Sequence, residues 1–138
     1  FGCAEKARKV CSDFSGAVPF IAPEIILAES HNPAVGDIWA CGVVLLELTC
    51  GIGCVARMLQ WTSLPPVSAT LARQLLMFFG DPRKLQSSLE AHFGTFDEEL
   101  LDLIFGLLHV SPPQRLTASE AANCCWLTPA VWEKPIRI

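Results

Sequence analysis

Between Ile38 and Ala56 the chain carries a single charged residue, Glu47, and no other stretch restricts the possible folds as strongly. About 20 apolar residues suffice to span a bilayer, so one reading of this stretch is a membrane helix. Glu47 stands in its middle, however, and Gly42, Gly51 and Gly53 interrupt it. A carboxylate at that depth costs roughly 2.5 to 3.5 kcal/mol on insertion scales, which favours a helix buried inside a soluble core. Asp37 precedes the run IWACGVVLLEL as a candidate N-cap, and Gly51 follows it as a stop. The run is apolar nearly all round. It is therefore expected to begin near Asp37 and to be enclosed on every side, with Val44, Leu45 and Leu48 covered.

The remaining signals are also helical. Pro23 suits the first turn of a short helix in PEIILAE, where its missing N–H is no loss. A helical stretch is expected over Val67 to Phe79, and another after Pro82. Asp97 opens DEELLDLIFGLL, with acids in the first turn and an apolar face of Leu100, Leu101, Ile104, Leu107 and Leu108. Thr117 and Glu120 have the spacing of a capping box at the start of TASEAANCCW. Phe1 to Gly16 mixes charges, Ser and Gly without a period and reads as a loop. No repeat or alternating strand pattern appears, so the fold class is mainly α, one helical lobe.

Composition narrows the function. A hydrophobic content of 51% is ample for a continuous core. A net charge of -4 with scattered Lys and Arg argues against nucleic acid, whose sequence-independent binding needs a basic stripe to displace counterions. Seven cysteines without a C-x-x-C pair read as reduced intracellular thiols. Cys50 and Cys54 are spaced loosely enough to be considered as zinc ligands, but no second pair accompanies them, and buried structural thiols are the better reading. The start FGCAEKARKV carries neither an initiator Met nor an apolar signal segment, so nothing points to secretion, and its abruptness suggests a fragment.

Three separated segments then carry a resemblance, in order. SGAVPFIAPE, Ser15 to Glu24, resembles the end of a protein kinase activation segment, with Ala22-Pro23-Glu24 matching A-P-E. GDIWACG, Gly36 to Gly42, resembles the D-x-W-x-x-G that opens the central helix of the kinase C-terminal lobe. SPPQRLTASEAANCCWL, Ser111 to Leu127, resembles the closing D-P-x-x-R-x-T-x-x-E-A pattern, with Ser111 in place of Asp. Phe1-Gly2 matches the last two letters of D-F-G. Gly16 and the ending TASEAANCCWL resemble Ser/Thr rather than Tyr kinases, which usually carry Trp where Phe20 stands.

The resemblance implies an incomplete domain, the helical C-terminal lobe of the protein kinase-like fold, with residues 1–24 as activation segment and 25–138 as helical subdomain. It implies a buried ion pair between Glu24 and Arg115, structural roles for Trp39 and Gly42, and an Asp37 that accepts hydrogen bonds from a catalytic-loop backbone. Substrate would dock along Gly16, Ala17, Val18 and Phe20 to Ile21. Asp13 stands where many Ser/Thr kinases carry a phosphorylated Thr, so a fixed carboxylate could supply part of that charge, while Ser12 and Ser15 are candidate phosphosites. None of the catalytic or metal-holding residues of phosphoryl transfer is in the sequence, so ATP and Mg2+ belong to the complete parent domain. The expected partners are a protein substrate and the N-terminal half of the same domain, with no nucleic acid and no membrane, in the cytoplasm. Ala17 replaces a Thr that helps fix the catalytic Asp in the family, and Val18 replaces Pro. With the unusual Gly51 to Gly80 segment, Ala17 favours an alternative reading as a pseudokinase or regulatory interaction module.

Overall fold

The computed structural model describes residues 18–27 and 31–128. Its described part contains helices and turns and no β-strand. In chain order the helices are α1 (Pro23–Leu27), α2 (Pro33–Cys50), α3 (Cys54–Met58), α4 (Ala69–Phe79), α5 (Pro82–Phe93), α6 (Glu98–Leu107) and α7 (Ala118–Ala122), with a 3-10 turn at Pro112–Gln114 before α7.

The cap chemistry explains most boundaries. Asp81 accepts from the backbone N–H groups of Arg83 and Lys84 at the start of α5, Asp97 from Glu99 at the start of α6, and Ser68 from Leu71 at the start of α4. Each satisfies donors that have no partner within the first helical turn. Thr117 and Glu120 close the expected capping box on α7. Gly51 ends α2 with φ 95°, a backbone angle that favours glycine, and its N–H returns to the Glu47 carbonyl at 2.9 Å.

At α2 the structure corrects the sequence reading. The cap is Asn32, whose side chain accepts from Ala34 N–H at 3.0 Å, and Pro33 fills the first turn. Asp37 lies inside the helix, one turn in, and is exposed. Nor is α2 enclosed on every side. Gly36, Trp39, Gly42, Val43 and Leu46 are buried, but Val44 is 45% and Leu48 78% exposed, and Leu45 is only partly covered. The physical reason is that all-round apolarity states which faces could be buried, whereas packing is supplied on one side alone, chiefly by α3 and α6 with Phe79 of α4 against Trp39. This is the one helix among the described residues long and apolar enough to cross a membrane, and its packed side is the inner wall of the lobe.

α1 packs on α4, α4 on α5, α5 on α3, and α7 on α6, so the chain wraps a single core around the buried side of α2. Gly42 permits α2 to approach the end of α6 closely: a Cβ there would stand 2.7 Å from Leu108. The short helix α3, absent from the sequence reading, is held by Arg57, which donates to the Cys50 carbonyl at 2.9 Å and lies over the Phe93 ring at 5.3 Å.

Candidate functional site

The site grows from Arg115. Its side chain is fully buried, and four of its five N–H donors find acceptors. Nη1 and Nη2 donate to Glu24 Oε1 and Oε2 at 2.6 and 3.0 Å, the two parallel bonds for which a planar fork suits a carboxylate. Nη1 also donates to the Val35 carbonyl at 3.0 Å, and Nε to the His109 carbonyl at 2.9 Å. One guanidinium thus ties α1, α2 and the segment after α6 together across a sequence separation of 91 residues.

The local fold presents each partner. Glu24 sits in the first turn of α1, next to buried Pro23. Val35 sits in the first turn of α2, where a carbonyl can accept a second bond besides the helical one. Arg115 follows the 3-10 turn, whose backbone is closed by Arg115 N–H to the Ser111 carbonyl at 3.0 Å. Ser111, which replaces the family's Asp, makes no side-chain cap there.

Trp39 is the second anchor. Its indole N–H donates to the Pro19 carbonyl at 3.2 Å, and the Arg115 guanidinium carbon stands 5.3 Å from its ring centroid. Phe79 of α4 meets the ring edge-on at 5.1 Å. A cation over an indole face is stabilising, more so when both groups are away from water. Trp39 therefore links the ion pair to the strip Val18–Ala22. On that strip Ile21 and Ala22 are buried, while Val18 and Phe20 are half-buried against the core.

The structure thus brings together Val18, Phe20, Ala22, Pro23, Glu24, Trp39 and Arg115, with Gly42 one turn further along α2. Asp37 stands apart: among the described residues its carboxylate accepts no hydrogen bond. Phe1, Gly2, Asp13, Ser15, Gly16 and Ala17 lie outside the described residues. Sequence reasoning missed the carbonyls of Val35, His109 and Pro19 as partners, since a backbone acceptor leaves no signal in residue identity.

The arrangement holds backbone in place and contains no nucleophile and base in contact. Among the described residues no group of three His, Cys, Asp or Glu side chains is placed to hold a metal ion. The chemistry this arrangement offers is positional.

The comparisons agree with this geometry. The chain matches the family described as "Protein kinase domain" over residues 1–127. It is 29% identical over 123 residues to testis-specific serine/threonine-protein kinase 5 of Mus musculus, covering 89% of this chain and 28% of that protein. It is 28% identical over 130 residues to calcium/calmodulin-dependent protein kinase cmkA of Emericella nidulans, covering 92% of this chain and 28% of that one. CBL-interacting protein kinase 28 of Oryza sativa subsp. japonica is 25% identical over 123 residues, covering 89% of this chain and 23% of that one. The chain spans about a quarter of the length of these curated relatives. With a helical lobe, a Glu24–Arg115 fork and a family match over nearly all its length, this chain belongs to the protein kinase domain family.

Proposed function

We propose that this chain is the substrate-docking and scaffolding lobe of a protein Ser/Thr kinase that transfers the ATP γ-phosphate to protein Ser or Thr hydroxyls. The observation that carries the reading is the strip Val18–Ala22, fastened by Trp39 at one end and by the Glu24–Arg115 fork at the other. A strip so held presents backbone and the half-buried Val18 and Phe20 in one fixed place, which is what orienting an acceptor peptide requires. Serine/threonine kinases among the relatives support the substrate class.

ATP and Mg2+ are assigned to the parent domain, through the Gly-rich loop, strand Lys, helix Glu, catalytic Asp and Asn, and D-F-G Asp of the family. The residues of this chain would contribute position only. Asp37, Cys41, Val44 and Leu48 are exposed and lie on one face of α2, at helical spacing. This face is proposed to seat the upstream catalytic loop, with Asp37 accepting its backbone N–H groups. The protein substrate and the upstream half of the domain are the proposed partners, the cytoplasm the proposed compartment, and neither nucleic acid nor membrane a partner. On this reading the 138-residue chain alone transfers no phosphate.

Ala17 in place of the family's Thr favours a second reading, a pseudokinase whose helical lobe binds a partner without catalysis. The experiment is phosphotransfer from ATP to Ser/Thr peptides, measured for the purified chain alone and for the chain joined to its upstream coding sequence. Transfer by the joined form only supports the kinase reading. No transfer by a folded joined form lacking H-R-D or D-F-G supports the pseudokinase, and transfer by the chain alone above a contaminant control overturns both.

A further inference from the structure

A groove of about 520 Å³ lies away from the Glu24–Arg115 anchor, where the end of α3, α4 and the start of α5 meet. Its apolar lining is Leu59, Met77 and Phe78, and its polar lining includes Arg73, Gln74 and Lys84. The floor and rim differ in character. Phe78 is 6% exposed and belongs to the core, whereas Met77, one residue earlier on the same helix, is 71% exposed.

The charges are one-sided. Arg73 and Lys84 are both exposed, no carboxylate lines the groove, and among the described residues neither cation is ion-paired, in a chain whose net charge is -4. Asp81, three residues before Lys84, is occupied as the α5 cap, its carboxylate accepting from Arg83 and Lys84 backbone N–H groups at 3.1 and 3.3 Å. Gln74 is fixed as well. Its carbonyl oxygen accepts the Trp61 indole N–H at 3.0 Å, so its amide N–H groups remain available as donors.

We propose that this groove docks an extended acidic segment of a protein partner, with one large apolar side chain of that segment seated against Leu59, Met77 and Phe78. The chemistry is complementary throughout. The wall carries two cations and no carboxylate, with the Gln74 amide N–H groups and the Thr70 hydroxyl able to donate, which suits carboxylates, and a flexible thioether such as Met77 adapts to varied apolar side chains. A volume of about 520 Å³ admits an anchoring side chain together with the neighbouring backbone.

The test uses the full chain and a fluorescein-labelled peptide, Glu-Glu-Phe-Leu-Glu-Glu, with Lys-Lys-Phe-Leu-Lys-Lys as control, read by fluorescence anisotropy at low and high NaCl. The variants are the double charge reversal Arg73→Glu with Lys84→Glu, and Met77→Glu. All three positions are exposed, so far-UV circular dichroism should show the fold retained. The expected result is that the acidic peptide binds about tenfold or more tighter than the basic one. Each variant should weaken it by a similar factor, and added salt should weaken it in the wild type. No measurable binding of the acidic peptide, equal binding of both peptides, or binding undiminished in the variants would overturn the proposal. So would binding through Arg73 and Lys84 to anionic phosphatidylserine vesicles in place of the peptide.

Discussion

Removing the carboxylate of Glu24 isolates the central ion pair, because it leaves Arg115 with no exposed surface and two bonds fewer. Breaking a buried pair by deleting one partner costs about 3 to 5 kcal/mol, since the survivor stays buried. Two features move the Glu24→Ala value toward the lower end, about 3 kcal/mol: the guanidinium keeps the Val35 and His109 carbonyls, and it keeps the Trp39 ring. Arg115→Ala should cost more, about 4 to 5 kcal/mol. It removes the side-chain donor from both carbonyls and empties a buried volume, although Glu24, 20% exposed, can partly hydrate. Such losses are a large share of the stability of an ordinary domain, about 5 to 15 kcal/mol, so the milder Glu24→Ala is the variant that carries the test. Urea unfolding followed by far-UV circular dichroism, in a Leu48→Glu background that limits association, gives both values and the double mutant. The pair should be coupled by about 2 kcal/mol. A Glu24→Ala cost under about 0.5 kcal/mol, as for a surface pair, or strict additivity in the double mutant would refute the reasoning.

Three further outcomes follow from the geometry. The chain alone should self-associate through Val44, Leu48 and Ile52, which are 45%, 78% and 89% exposed. Size-exclusion chromatography should show Leu48→Glu shifting it toward monomer, and a monodisperse wild-type monomer would contradict this. Gly42→Ala places a Cβ 2.7 Å from Leu108 and should destabilise by about 1 to 3 kcal/mol in the same urea assay, with little change counting against the packing described. Burial pushes the Cys54 thiol up to about 11 from the ordinary 9.0, with Cys50 and Glu47 adding to the rise. The fold prefers the protonated thiol, so its contribution, on the order of 2 to 3 kcal/mol, is complete below about pH 9 and lost as pH rises toward 11. Cys54→Ala should flatten that alkaline decline, and iodoacetamide should label exposed Cys41 and Cys125 well before Cys54.

How far the sequence reached depended on what kind of physics each feature rests on. Asp97, Thr117 and Glu120 were legible because a cap is a local contract between neighbouring residues. The start of α2 was misplaced because the apolar run begins at Ile38, whereas the cap, Asn32 followed by Pro33, precedes it by more than a turn. Its exposed face could not be anticipated either, since apolarity does not say which neighbour arrives. Helix α3 fell between Gly51, Gly53 and Gln60 and was too short to show a period. The Glu24–Arg115 pair was reachable only through the family resemblance, because nothing local links positions 91 residues apart. Its carbonyl partners and the groove at Met77 belong to tertiary packing alone.

The central claim is that the fork at Arg115 and the indole at Trp39 hold a strip on which substrate is oriented. Its most direct measurement is kcat/KM for a Ser/Thr peptide in the chain joined to its upstream coding sequence, comparing wild type with Glu24→Gln at a temperature where both are folded. The amide keeps the shape but faces the second guanidinium donor with a donor of its own. The account predicts a fall of about tenfold or more with secondary structure unchanged, as misplacement by an ångström can cost even more. Undiminished kcat/KM in the folded Glu24→Gln protein would contradict it.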